Sequence, residues 1–178
     1  MKRIPLSLFT FLFLLSGLCA APTKTVWQIG EKNHSASELA LSPDKYKEFL
    51  ANDFGWEDRF YIIGLSSPQK DFPYVLPGPA DHWGGTSYTA GIRAHVLNIL
   101  FGMKEVPETD SWKLIIDLLD THHELPALFK ITINGKSWKY ALPKGSGKSI
   151  DGDYSQIKPH TIEIPLNSGV IRKGSNSI

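Results

Sequence analysis

Apolar residues recur at every second position through most of the chain from Thr25 onward, the spacing of strands that bury one face. Val26 to Ile29 predicts a short strand ended by Gly30, and Arg59 to Ile63 a second ended by Gly64. From Arg93 to Phe101 nearly every position after His95 is apolar, which predicts a central strand covered on both faces. Trp112 to Leu119 places Trp112, Leu114, Ile116 and Leu118 on one face, with Lys113 and Asp117 on the other. Phe129, Ile131 and Ile133 then alternate with Lys130 and Thr132. Asn134-Gly135 follows with the two positive-φ residues of a type I′ turn, and Trp138 and Tyr140 return opposite Ile131 and Phe129, which makes this a hairpin. Thr161 to Leu166 repeats the alternation through Ile162, Ile164 and Leu166. Helix is scarce: Ser42-Pro43-Asp44 supplies an N-cap, a first-turn proline and an acid, and Tyr46, Phe49 and Leu50 fall on one face behind them. Many strands, turn residues between them and one short helix predict an all-β protein, an antiparallel β-sandwich of jelly-roll type.

Two stretches carry no strand pattern, Ala51 to Asp58 and the long run from Leu65 to Gly91. The second holds Pro68, Pro73, Pro77 and Pro79, a set of glycines from Gly78 to Gly91, and the rings of Tyr74, Trp83 and Tyr88. A connection this long in a compact domain is either functional or disordered, and its aromatic content argues against disorder.

Charge and cysteine content narrow the class. The 178 residues carry 19 Lys+Arg against 18 Asp+Glu, a formal charge of +1 that gives no broad basic field for a nucleic-acid backbone. A single cysteine rules out a disulfide framework. Met1 to Ala21 has the parts of an export signal: Lys2 and Arg3, an apolar stretch from Leu6 to Leu15, then Cys19, Ala20 and Ala21. The apolar stretch falls short of the ~20 residues needed to span a bilayer, so a cleaved signal is preferred to a retained anchor. Leu18 stands where a lipobox needs a small residue before Cys19, which disfavours a lipoprotein. Cleavage near Ala20 leaves a thiol-free domain over 22–178, secreted to an extracellular or periplasmic space and free of the membrane.

Local motifs offer little enzymatic chemistry. Gly145-Ser146-Gly147-Lys148-Ser149 invites comparison with a phosphate loop, but the first glycine of that motif would fall on Leu142, and a flexible turn is expected instead. Asp151-Gly152-Asp153 misses the EF-hand pattern, and a structural calcium held by loop carbonyls has no sequence signature. His122-His123-Glu124 has the composition of a metal cluster, yet neighbours on a strand point to opposite faces, and a polar loop is the simpler reading. No cofactor and no metal ligand set is assigned. Gly-x-Ser-x-Gly is absent, so acyl transfer has no nucleophile. Asn33-His34-Ser35 is a glycosylation sequon, relevant in a glycosylating host.

The aromatic loops remain. Sugars present apolar C–H faces and dense hydroxyls, so a carbohydrate site wants an exposed ring beside charged or amide groups. Trp56, within Gly55-Trp56-Glu57-Asp58-Arg59, and Asp81, His82 and Trp83, with Tyr88 and Arg93 further on, supply that mixture. Against it stands a packing role, in which Trp56 plugs the end of the sandwich and Trp83 pins the long loop. Trp27, Trp112 and Trp138 lie on predicted strands and are assigned to the core.

The run Val26-Trp27-Gln28-Ile29-Gly30, then Phe54 to Phe60, Asp71-Phe72-Pro73-Tyr74, Leu97 to Phe101 and Trp112-Lys113-Leu114 resembles the carbohydrate-binding-like third domain of family 4 polysaccharide lyases, the rhamnogalacturonan lyases and their bacterial relatives. The resemblance runs from about Thr25 to Ile178 and implies a galactose-binding-like jelly roll with a role in degrading pectin or a related plant glycan. Lyase chemistry in that family belongs to another domain, so no catalytic residue is transferred. Two departures bear on the transfer. The module closes the chain in those lyases, whereas here it directly follows the signal. Gly174 to Ile178 resembles the turn that opens a further strand, after which the chain stops, as in a fragment of a larger enzyme.

The leading expectation is therefore a non-catalytic module of a secreted polysaccharide-degrading enzyme, its partners a polysaccharide or oligosaccharide and a catalytic domain of the same protein. The rivals are a structural sandwich that packs on that domain without touching sugar, and a lyase in its own right, for which no spacing singles out a base and a charge stabiliser. A sandwich short of its last strands exposes an apolar face and an open edge. Residues 23–178 expressed alone are expected to aggregate or melt low, and a sharp thermal transition above roughly 55 °C would refute this.

Overall fold

The computed structural model describes residues 24–40, 59–71, 96–106, 111–151 and 153–178. They form seven strands: β1 (Arg59–Ile62), β2 (Leu97–Met103), β3 (Trp112–Leu118), β4 (Leu128–Ile133), β5 (Lys136–Ala141), β6 (His160–Leu166) and β7 (Gly174–Ser177). One turn of helix, α1 (Pro68–Asp71), and a 3₁₀ turn, η1 (Lys148–Asp151), complete the regular structure among the described residues. The predicted helix from Ser42 to Leu50, the stretch from Ala51 to Asp58 and the signal segment lie outside the described residues.

Three hydrogen-bonded sheets result, ordered β1-β2-β7, β3-β6 and β4-β5. Alternation decides which face of each turns inward. In β6, Ile162, Ile164 and Leu166 are buried while Thr161, Glu163 and Pro165 are exposed. Ile131 and Ile133 do the same for β4, and Phe101 anchors β2. These side chains join Leu142, Val170 and Ile171 in one core cluster fed by all three sheets, against which Trp112, Leu114, Ile116 and Leu118 of β3 pack. A single apolar core shared by open sheets fits a β-sandwich.

The hairpin forms as the sequence predicts. Phe129 faces Tyr140 and Ile131 faces Trp138, and the turn residues Asn134 and Gly135 take φ of 46° and 88°. Central placement of β2, the period-two face of β3 and the core positions of Trp27, Trp112 and Trp138 also match expectation.

Three features differ. Val26 to Ile29 is not a strand; Trp27 is fixed by its ring, 5.3 Å from that of Phe101, so burial of one side chain holds the segment without a ladder. The fold is not wholly antiparallel, because β1 runs parallel to β2. A parallel pair needs a long crossover, and the 63–96 connection supplies the length that a hairpin lacks. Its first part holds α1, where Ser67 N donates to Asp71 Oδ2 at 2.7 Å and caps the turn. Finally, Gly174 to Ser177 is itself strand β7, antiparallel to β2, and Ile178 continues the pairing by exchanging backbone hydrogen bonds with Ile99 at 2.8 and 2.9 Å.

Turn-forming residues become a strand here because side chains replace what propensity lacks. Asn176, almost fully buried, donates from Nδ2 to the carbonyls of Arg172 (2.8 Å) and Gly174 (3.1 Å). Its Oδ1 accepts from Arg172 N (3.0 Å) and from Asn134 Nδ2 (2.7 Å). Asn134 Nδ2 also reaches Val170 O (2.8 Å), and its Oδ1 accepts from Ser177 N (3.0 Å). The tip of the β4-β5 hairpin is thereby stitched to β7. Asn176→Ala should cost about 3 kcal/mol by leaving buried partners unsatisfied. Thermal melts of the single and Asn134→Ala/Asn176→Ala double variants should show less than additive losses, since both amides serve one network.

Candidate functional site

The most heavily hydrogen-bonded side chain among the described residues is Asp120, two positions beyond β3. It is only 4% exposed. Oδ1 accepts from Thr121 N (3.0 Å), Ser146 N (2.7 Å) and Lys158 N (3.4 Å). Oδ2 accepts from Ser146 Oγ (2.5 Å), Lys148 N (3.1 Å) and Ser149 N (3.4 Å). Burial pushes the carboxyl pKa up, but the bonds from Ser146 Oγ and from the amides of Ser146, Thr121 and Ser149 outweigh it and hold the group below the ordinary carboxylate range.

The Gly-Ser-Gly-Lys-Ser run is thus an ordered nest and not a loose turn. Successive backbone N–H groups converge on an anion, as in a phosphate loop, but the anion is a carboxylate of the same chain. Close approach explains the glycine: a Cβ on Gly145 would collide with the backbone of Thr121 and with Asp120 Oδ1. Gly147 N bonds Thr121 O at 3.1 Å, and Thr121 Oγ1 bonds Pro143 O at 2.5 Å, closing the crossing of the two segments. With six donors on it and its proton affinity lowered, Asp120 is built to hold loops rather than to take a proton from substrate.

Beside the nest, the rings of His122 and His123 stack at 4.8 Å with 19° between their planes. The segment lies between β3 and β4 outside any strand, as the polar-loop reading expects, so the two rings are free to lie side by side. His122 Nδ1 accepts from the amides of Glu124 and Leu125, both at 3.1 Å, which places the ring proton on Nε2 and leaves His122 no lone pair for a metal. Among the described residues, no group of three His, Cys, Asp or Glu side chains is placed to hold a metal ion. Asp153 is engaged locally: Oδ1 accepts from Ser155 N and Oγ, Oδ2 from Gln156 Nε2, and the Ser155 bonds hold its pKa below the ordinary value.

The model of the CBM-like domain III of polysaccharide lyase family 4 matches residues 25–178. The chain belongs to this family. No curated protein matches it. In this carbohydrate-binding-like domain, Trp56, Asp81, His82, Trp83, Tyr88 and Arg93, the residues selected from sequence for sugar contact, all lie outside the described residues. Asp120 was not selected. Its signal was available in the amide-rich Gly145 to Ser149 run, which calls for an anion, and in an acid that ends the apolar strand β3. Among the described residues, no helix is long and apolar enough to cross a membrane.

Asp120→Asn places an NH₂ against amide donors and removes the charge they are arranged around. It should destabilise the domain by about 3 kcal/mol at neutral pH. A depressed folded-state pKa contributes stability that is complete above the unfolded value of 3.8 and is lost as pH falls through the folded value. Denaturant titrations across this range should therefore show a steeper acid loss in the wild type than in Asp120→Asn.

Proposed function

We propose that this lyase-family domain is a non-catalytic carbohydrate-binding module of a secreted polysaccharide-degrading enzyme, with a galactose-binding-like jelly roll as its scaffold. The observation that carries the reading is the match over residues 25–178 to a domain that is carbohydrate-binding-like and belongs to a polysaccharide lyase family. The proposed ligand is pectin or a related plant glycan. Trp83 and Tyr88, with Trp56, offer ring faces to the apolar C–H faces of sugar residues, while Asp81, His82 and Arg93 hydrogen-bond their hydroxyls. Stacking on a few rings gives weak binding per site, which suits a module that keeps a tethered catalytic domain near an insoluble polymer by raising its local concentration.

Export through the Met1 to Ala21 segment completes the proposal, since a pectic substrate lies outside the cell that degrades it. Affinity electrophoresis in gels cast with pectic polymers tests the binding. The folded chain should be retarded, and Trp83→Ala should abolish most of that retardation while the melting temperature stays within about 2 °C of wild type. Free migration of the folded wild-type chain would instead assign the aromatic residues to a packing surface for another domain.

A further inference from the structure

The lysines around the β4-β5 hairpin are distributed unlike the other charges of the chain. Positions 125–150 contain Lys130, Lys136, Lys139, Lys144 and Lys148 and no Asp or Glu. Five positive charges there, against +1 for the whole sequence, leave the remainder at −4. A balanced total conceals a segregated distribution.

The register orders part of this charge on one surface. On the outer face of the ribbon, away from the core, three pairs lie directly opposite one another: Leu128 and Ala141, Lys130 and Lys139, Thr132 and Ser137. All six residues are exposed, Leu128 to 65%. The hydroxyls of Thr132 and Ser137 are 2.8 Å apart and bond each other. Apolar, cationic and hydroxyl rungs thus follow in sequence, about 7 Å apart, along a strip about 14 Å long.

The middle rung is the anomaly. Like charges directly opposite on an antiparallel pair are destabilising, and their Cβ atoms sit only about 5 Å apart. At the β3-β6 sheet exposed lysines are paired: Lys113 of β3 with Glu163 at 2.9 Å, and Lys32, from the segment before β1, with Asp117 of β3 at 2.7 Å. Among the described residues, the ammonium groups of Lys130 and Lys139 carry no hydrogen bond or ion pair, and neither strand of the ribbon contains an acid. An arrangement that is unfavourable alone becomes favourable when an anion lies between the two cations.

We propose that the outer face of the β4-β5 ribbon is a binding strip for a carboxylate-bearing polysaccharide. One uronate carboxylate seats between Lys130 and Lys139, the hydroxyls of Thr132 and Ser137 exchange hydrogen bonds with the next sugar, and Leu128 meets a C–H face. The flat, open strip fits a polymer laid along it and not a small molecule that needs enclosure. Nucleic acid fits less well, because Phe129, Trp138 and Tyr140 pack towards the core and no ring is left on this face to stack a base. The assignment rests on the carbohydrate-binding reading and adds to it a second, charge-selective surface on described residues.

The test is affinity electrophoresis of the full chain on polygalacturonate, on its fully methyl-esterified form and on duplex DNA, with wild type, Lys130→Gln/Lys139→Gln and Lys139→Glu. Near-UV circular dichroism establishes that each variant is folded. The glutamine pair should lose about tenfold in affinity for polygalacturonate and nothing for the esterified polymer. Lys139→Glu should lose the same binding yet melt at a higher temperature than wild type, since it turns a repulsive rung into an ion pair. Unchanged retention of the glutamine pair on polygalacturonate overturns the strip, as does an equal loss on both polymers or wild-type retention on DNA equal to that on polygalacturonate. Wild type retained only by the esterified polymer overturns the strip and leaves the module reading standing, whereas retention by neither polymer overturns both.

Discussion

A carboxylate taken out of water must be surrounded by donors or it will not stay charged, and Asp120 imposes that requirement on this fold. Its six donors come from three places in the chain: the end of β3, the loop that leaves β5 and the approach to β6. The β3-β6 and β4-β5 sheets share no ladder, so the charge at Asp120 does what hydrogen-bonded strands do elsewhere and fixes one pair against the other. Apolar burial alone would hold the two sheets together with little preference for their relative setting. Directional bonds to a single carboxylate select one setting.

The opposite end of the hairpin is fixed by a neutral device. Asn134 and Asn176 join the turn to β7 through amide groups whose donors and acceptors are used on both sides. The ribbon is therefore clamped at its open end by a charge and at its turn by two amides. With both ends held and Ile131 and Ile133 seated in the core, the ribbon stays in place without help from its outer face. Such a face can carry opposed lysines that a free hairpin would not tolerate, and an exposed polar surface on a rigid frame is where recognition is commonly placed.

Legibility followed the range of the interactions. The hairpin, its register and its turn were readable because Asn134-Gly135 and the alternating residues beside it lie within a few positions of one another. The faces of β3 and β6 were readable for the same reason. What was missed depends on partners far apart in sequence. Trp27 has strand-like neighbours but finds Phe101 instead of a ladder. Gly174 to Ser177 has the composition of a turn, and partners some forty to seventy positions away, Asn134 and the residues of β2, make it a strand. Asp120 was passed over because five of its six donors sit some 26 to 38 positions downstream. The family was legible as an order of blocks along the chain, whereas the aromatic residues chosen for sugar contact lie outside the described residues.

The Asn134-Gly135 turn also sets how this protein ages. In a peptide, an Asn followed by Gly is the sequence most open to cyclisation, in which the glycine nitrogen attacks the side-chain carbonyl and ammonia leaves. The nitrogen that would be lost is the one that Asn134 gives to Val170 and Asn176. Hydrolysis to aspartate would set a charged acceptor against two oxygens that expect a donor, and the isomeric product would also lengthen the backbone at the hairpin tip. Spontaneous chemistry at one amide is thereby coupled to the release of β7, so the lifetime of the fold is set in part by how firmly that turn is held.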